Sequence, residues 1–380
     1  MNDPQTAPTA PRQVRVDIKP SKERVMSRLL ELTAEDPALG ERLSQLHEFS
    51  RRVRTAEVFI TDACNLRCKG CWFFEHDMDK HSNEVRDLGD VRAFAQRLRA
   101  EGTTNVLLIG GEPALVPERI RVFADVMPYT TVITNGTRPV PREGLEHINV
   151  AVSLWGGGPL DDDLRGHRPN GRPITGLFER GLRAYRDDPR VVWIFTVSET
   201  GLAHIEPTVR AIAENGNQVN FGFYSAYGSD DPTRVDHGQR LIDELVHMRQ
   251  LYPEAVVGHP YYFDTLITGR SHWGTFGYDT CPSISVDHPA HTERLANGHP
   301  VLRGFNTYRS DHTVQFCCTS GDCAGCRDSQ AVWSWLLVNM HQFLGGVEQL
   351  RTWVDLGENF YRQYYWSPYH PRHARALSAR

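Results

Sequence analysis

Val58-Phe59-Ile60-Thr61-Asp62-Ala63-Cys64-Asn65-Leu66-Arg67-Cys68-Lys69-Gly70-Cys71-Trp72 is the stretch on which the reading of this chain turns. It opens with a short apolar run of β-branched and aromatic residues that stops at Thr61-Asp62, as a buried strand giving way to a loop does. Three thiols follow at C-x3-C-x2-C spacing. Three thiolates in so short a loop can wrap one corner of an iron–sulfur cubane. Such a cluster ordinarily takes four, so three leave one iron open to another ligand. Structural zinc prefers four ligands, usually from short paired knuckles. A zinc knuckle completed by His76 or a distal cysteine is therefore the competing reading of this loop.

Outward from that loop the chain alternates. Asn105–Ile109, Thr131–Ile133, Ile148–Leu154, Val191–Val197 and Val219–Tyr224 read as further short apolar strands. Between them lie helical patterns near residues 87–100, 116–126, 175–185 and 204–215. Six strands alternating with helices predict a parallel α/β domain over residues 56–251. Strands buried on both faces suit an open doubly wound sheet or a barrel equally well. Before this domain, residues 1–20 read as a disordered tail. Residues 21–55 read as two helices, one capped by Ser21 and the other carrying Leu39, Leu43, Leu46 and Phe49 on one face. Residues 252–380 break the rhythm with Gly, Pro, His and Tyr and end in helical stretches near 329–344 and 347–365.

Among these segments, several short motifs resemble those of the radical S-adenosylmethionine (radical SAM) enzymes, as does the cysteine loop itself. The similar stretch covers roughly residues 56–251. Gly110-Gly111-Glu112-Pro113 closes the second strand as the family's GGEP motif does. Thr134-Asn135-Gly136 follows the third strand, and Val152-Ser153-Leu154 ends the fourth, with Arg165-Gly166 in the next loop. One departure stands out: many members carry an aromatic residue just before the third cysteine, where this chain has Gly70 and places Trp72 after it. The resemblance implies a partial (β/α)6 TIM-like barrel with an N-terminal helical extension and a cysteine-rich, partly helical C-terminal extension. It implies a [4Fe–4S] cluster on Cys64, Cys68 and Cys71, with SAM contacted by Gly110, Gly111, Glu112, Pro113, Ser153 and Arg165. Reductive cleavage of SAM to a 5′-deoxyadenosyl radical, and a flavodoxin or ferredoxin as electron donor, are implied with it.

The remaining five cysteines form a second group: Cys281, then Cys317, Cys318, Cys323 and Cys326. A disulfide scaffold does not suit a reducing compartment or this length. The tail resembles the short, twitch-like extensions that carry an auxiliary [4Fe–4S] cluster in some radical SAM enzymes, with zinc as the alternative. Adjacent Cys317 and Cys318 point to opposite faces if extended, so one thiol of Cys281, Cys317 or Cys318 is a candidate hydrogen-atom donor.

Composition narrows the partners. The 380 residues carry a net charge of −5 and no apolar run long enough to span a membrane, and the polar N-terminus lacks a signal-peptide core. We therefore expect a cytoplasmic protein acting on neither nucleic acid nor membrane. The expected reaction starts with hydrogen abstraction from a small organic substrate in specialised-metabolite biosynthesis, leading to dehydrogenation, epimerisation, cyclisation or rearrangement. A peptide or protein maturase is the second reading, and a zinc-stabilised binding protein without catalysis the third. Asp161-Asp162-Asp163 reads as a solvated loop. The aromatic run Tyr361, Tyr364, Tyr365, Trp366 and Tyr369 reads as packing of a terminal helix.

Overall fold

The computed structural model describes residues 21–75, 77–80, 83–223, 238–271, 274–275, 285–288, 302, 304–315 and 327–373. Cys281, Cys317, Cys318, Cys323 and Cys326, along with His76, His81, Tyr224 and both chain ends, lie outside them.

Strands β1 (Thr55–Phe59), β2 (Asn105–Ile109), β3 (Tyr129–Thr134), β4 (Asn149–Trp155), β5 (Val191–Val197), β6 (Gln218–Phe223) and β7 (Val256–Val257) are parallel and lie side by side in chain order. This order decides what periodicity could not. A doubly wound sheet reverses its strand order at a switch point. Here the strands follow chain order in one direction, and by the right-handed rule for parallel crossovers the connecting helices then fall on one face, as in a barrel. The sheet stays open. After a two-stranded hairpin of β8 (Arg270–Ser271) and β9 (Gly274–Thr275), the chain returns to the other edge. There β10 (Asn306–Tyr308) pairs parallel with β1, and β11 (Val314–Gln315) pairs antiparallel with β10. The nine-stranded sheet thus runs β11-β10-β1-β2-β3-β4-β5-β6-β7.

Alternation along the strands separates two faces. Ala56, Val58, Val106, Leu108, Val132, Val150, Val152, Phe195 and Phe221 join the main core beneath the helices. Their neighbours on the inner face are mixed: Glu57, Thr131, Ser153, Thr196 and Asn220 stand among Leu107, Ala151 and Ile194. Phe59 and Ile109, at the C-terminal ends of β1 and β2, form a separate small core with Phe73 and Met78, against which Cys71 and Trp72 pack.

The N-terminal helices, Lys22–Glu35 and Pro37–Arg52, start on Ser21 and Asp36, whose side chains accept from the backbone N–H of Arg24 and Leu39. They dock on the C-terminal helix Val347–Arg362. Leu46 presses on Gly357, Arg351 pairs with Asp36 at 2.7 Å, and Arg42 pairs with Asp355 and Glu358. The chain beyond that helix lies across the N-terminal strand ends. Trp366 stacks on Tyr129 at 4.3 Å, Asn149 Oδ1 accepts from Tyr365 N at 2.7 Å, and Asn220 donates to Gln363 at 3.0 Å. The aromatic run is packing, as expected. Among the described residues no helix is long and apolar enough to cross a membrane.

Candidate functional site

The cysteine loop leaves the C-terminal end of β1 and is fastened on three sides. On the first, Gly111 N donates to Thr61 O at 2.9 Å and Glu112 N to Ala63 O at 2.8 Å. This approach demands glycine. Gly110 has φ +134°, and a Cβ there would stand 2.3 Å from Thr61 O; one on Gly111 would stand 2.2 Å from Ala63 O. On the second side, Arg119 is buried in the helix Pro117–Val126 and donates to Ile60 O and Glu84, both at 2.5 Å. Burial alone would raise the Glu84 carboxyl, but the Arg119 guanidinium and the Asp62 N–H outweigh it and hold it low. Ser310, beyond β10, donates to Asp62 at 2.7 Å. On the third side, Arg67 N donates to His167 O at 2.7 Å and Lys69 N to Leu164 O at 2.8 Å, stitching the loop to the end of the helix Gly158–Arg165. Gly70, at φ +69°, makes the turn into Cys71. The Arg67 guanidinium lies over Phe74 at 3.8 Å.

All three thiols are half-buried. Burial pushes Cys64 up to about 11 even though Leu66 N–H points at its sulfur, and Glu112 and Cys71 add to the rise. Burial pushes Cys68 to about 12, against the pull of Arg165 and with Cys71 and Cys64 adding to it; Cys71 is raised by burial too. Thiols this sheltered are poor nucleophiles and hold negative charge only against a cation. The donor set is thus one that fits a metal cluster. Among the described residues no three His, Cys, Asp or Glu side chains converge as ligands of one metal ion must. In a cubane each thiolate binds a different iron, so convergence on one point is not required.

Glu112 is wholly buried. Its Oε1 accepts from Ala114 N at 2.8 Å and Thr134 Oγ1 at 2.7 Å, and its Oε2 from Asn135 N at 2.6 Å. Burial raises its carboxyl in spite of these donors. Asn135 is a junction: its Nδ2 donates to Asn65 Oδ1 at 2.8 Å and lies 3.9 Å from Cys64 Sγ, and its O accepts from Arg165. Arg165 also donates to Ser153 O at 2.6 Å and pairs with buried Asp161 at 2.8 Å. Gly110, Gly111, Glu112, Pro113, Ser153 and Arg165 are therefore brought together around the cysteine loop, at the end of a parallel sheet where active sites form. Glu112 and Arg165 are bound to the protein's own groups there.

One expectation changes, and one feature is new. Asp161-Asp162-Asp163 is helical, and only Asp163 is exposed. Asp161 caps Trp155 N, while Asp162 accepts from Gly176 N and Leu177 N. The Glu84–Arg119 pair went unremarked in the sequence, because a charge spaced among apolar helix positions looks like any surface charge.

Parts of this chain resemble known proteins. Residues 58–155, from β1 through β4, match the model of the radical SAM superfamily. GTP 3′,8-cyclase of Moorella thermoacetica is 23% identical over 285 residues, which is 71% of this chain and 78% of that protein. The GTP 3′,8-cyclase of Shewanella denitrificans is 31% identical over 129 residues, 30% of this chain and 38% of its own. Among solved structures, Streptococcus suis SuiB bound to precursor peptide SuiA aligns over 74% of this chain and 63% of its own, at 13% identity and a TM-score of 0.45. Native anSMEcpe with bound AdoMet and Cp18Cys peptide aligns over 73% and 79%, at 12% identity and a TM-score of 0.46. Residues 58–155 are thus a radical SAM superfamily domain, and the chain is an enzyme whose reaction class these similarities leave open. Its cofactors are accordingly SAM and a [4Fe–4S] cluster.

Proposed function

We propose that Cys64, Cys68 and Cys71 hold the [4Fe–4S] cluster and that the enzyme abstracts hydrogen from a small organic substrate lying against the inner face of the sheet. One observation carries this reading: the three thiols sit in one loop at the C-terminal strand ends, clamped under the bare backbone of Gly110 and Gly111. Bound there, the cluster and SAM supply a low-potential electron and a 5′-deoxyadenosyl radical.

The chain's own residues position and shelter. Gly110 and Gly111 let the cysteine loop lie directly on the end of β2, and with Pro113 they form the surface offered to SAM. Glu112 fixes that surface to β3 through Thr134 and Asn135. Arg165 fixes the β3 and β4 ends to each other, and half-buried Ser153 would contribute to holding SAM. Phe59, Phe73 and Trp72 close the loop's inner side and exclude water.

The auxiliary cluster belongs to the same proposal, drawn from Cys281, Cys317, Cys318, Cys323 and Cys326, with structural zinc as the alternative. Supporting it, Ser285 Oγ donates to Gln315 O and accepts from Thr307 N. Those anchors stand four residues after Cys281 and two before Cys317. A flavodoxin or ferredoxin supplies the electron. A purine nucleotide is the second reading of the substrate, favoured by the similarity to GTP 3′,8-cyclase along 71% of this chain.

Iron, sulfide and zinc content of anaerobically prepared protein tests this, beside the Cys64/Cys68/Cys71→Ala variant. The wild type should hold two clusters' worth of iron and the variant one. SAM and dithionite should release 5′-deoxyadenosine from the wild type alone. Zinc persisting after iron reconstitution, with no product released, would overturn the reading.

A further inference from the structure

The cysteine loop is electrostatically lopsided. On the side of Cys64 and Cys68 it is bonded to two turns that carry exposed cations. The first is the turn after the helix Gly158–Arg165. His167 O accepts from Arg67 N, and Arg168 N donates to Arg172 O at 2.9 Å, so Arg168 and Arg172 flank a tight, exposed turn. The second is the turn after β3: Thr137 Oγ1 accepts from Asn65 Nδ2 at 2.7 Å, and exposed Arg138 follows. Lys69, in the loop itself, adds an ammonium group and pairs with Asp163 at 3.0 Å. Arg138, Arg168 and Arg172 form no ion pair among the described residues. On the far side, after Cys71, exposed Glu75 and Asp77 are acidic, and the exposed cation there, Lys80, is paired with Asp77. In a chain of net charge −5, the turns bonded to this side of the loop thus carry three exposed cations with no ion pair among the described residues.

We propose that Lys69, Arg138, Arg168 and Arg172 form the docking surface for a small acidic electron-carrier protein, which delivers one electron to the cluster from the Cys68 side. This rests on the cluster assignment above. Opposite charge steers such a partner and sets its orientation. The positions matter as much as the sign. These cations project from outer turns, whereas the inner-face strand residues that would meet a substrate include no Lys or Arg among those described. In the transfer, one electron leaves the carrier's reduced flavin or iron–sulfur group and enters the cluster. No bond forms or breaks, and no proton has to move. The backbone bonds from Arg67 and Lys69 to the same turn hold donor surface and cysteine loop as one rigid unit, so docking needs no rearrangement to bring the two groups near.

The test is the rate at which cluster absorbance bleaches in the reconstituted enzyme, with either enzymatically reduced flavodoxin or dithionite as donor. Arg168→Glu/Arg172→Glu should slow bleaching by flavodoxin roughly tenfold at low ionic strength and flatten its salt dependence. Bleaching by dithionite should not change, and Arg24→Glu, on the N-terminal helix, should behave as wild type. A flavodoxin rate within about twofold of wild type, with the same salt slope, overturns the proposal. A raised KM for GTP with an unchanged flavodoxin rate also overturns it, assigning the cations to an anionic substrate. A wild-type protein that dithionite cannot bleach refutes the cluster assignment itself, and the docking surface falls with it.

Discussion

The two ends of the sheet are made from the same strands and could hardly differ more. At the N-terminal ends, Tyr361, Trp366 and Tyr369 pack with Phe49 and Tyr129 into a closed aromatic layer, Phe49 and Tyr361 meeting edge to face at 4.9 Å. At the C-terminal ends the contacts are hydrogen bonds to loop carbonyls, a buried carboxylate with three donors and two buried ion pairs. The first end gains stability by burying area, which is tolerant of small shifts. The second spends polar groups on geometry, because a buried polar atom is stable only where its partner sits. Stability and chemistry are thus assigned to opposite ends, and substitutions should separate them.

The largest effect is expected at the aromatic end. Tyr361→Ala should cost about 3–5 kcal/mol in urea unfolding, by analogy with large-to-small core changes. The iron bound per folded chain should stay at the wild-type value. Equal losses of iron and stability would break the comparison. At the other end, Gly110→Ala forces a Cβ into Thr61 O and should cost about 3 kcal/mol through strain. Here iron stoichiometry should fall by more than half, even under conditions where circular dichroism shows a folded chain.

Glu112→Gln is gentler in shape, but it turns an amide NH2 toward at least one of the N–H or O–H donors now pointing at the carboxylate. It should cost about 2 kcal/mol. Its signature is 5′-deoxyadenosine release that falls further than the melting temperature would suggest. An effect of similar size sharpens the other end. His370 is held neutral by burial, with His373 and Arg362 adding to it, and its value falls to about 4 from an ordinary 6.5. The unfolded chain therefore binds the proton more readily. Stability from this group is present above pH 6.5 and is lost as pH falls toward 4. Roughly 2 kcal/mol should disappear over that window, and His370→Gln should flatten the slope. A wild-type profile unchanged by the substitution would remove His370 from the account.

How much of this could be read beforehand follows from how local each feature is. β2 and β5 lie where their apolar runs said, and the helix Leu88–Ala100 starts on Asp87 and stops before Gly102. The cysteine loop and Gly110-Gly111 were legible because each is a short word whose residue types have few other uses. β7, β10 and β11 were not, since two or three residues carry no periodicity. Barrel-type winding over a doubly wound sheet was settled only by strand order. The fastenings of the cysteine loop were hidden for the same reason: Glu84, Arg119 and Ser310 are ordinary polar residues until the fold brings them to Ile60 and Asp62. Asp161 and Asp162 misled because an acidic run resembles solvated surface, whereas here it ties its own helix to the end of β4 and to the start of the helix Leu177–Ala184.

The pairing of β10 with β1 has a consequence in time. Asp62, just ahead of the first cysteine, waits for a hydroxyl that lies 248 residues further along the chain. At a synthesis rate of about 5–20 residues per second, that interval is on the order of tens of seconds. During it the cysteine loop exists without its outer neighbour strand, and contacts of such long range are among the last to form. A nascent chain therefore passes through a stage in which all three thiols have left the ribosome while one wall of their setting has not been made. Whatever loads iron must either wait for the C-terminal third or guard the loop until it arrives.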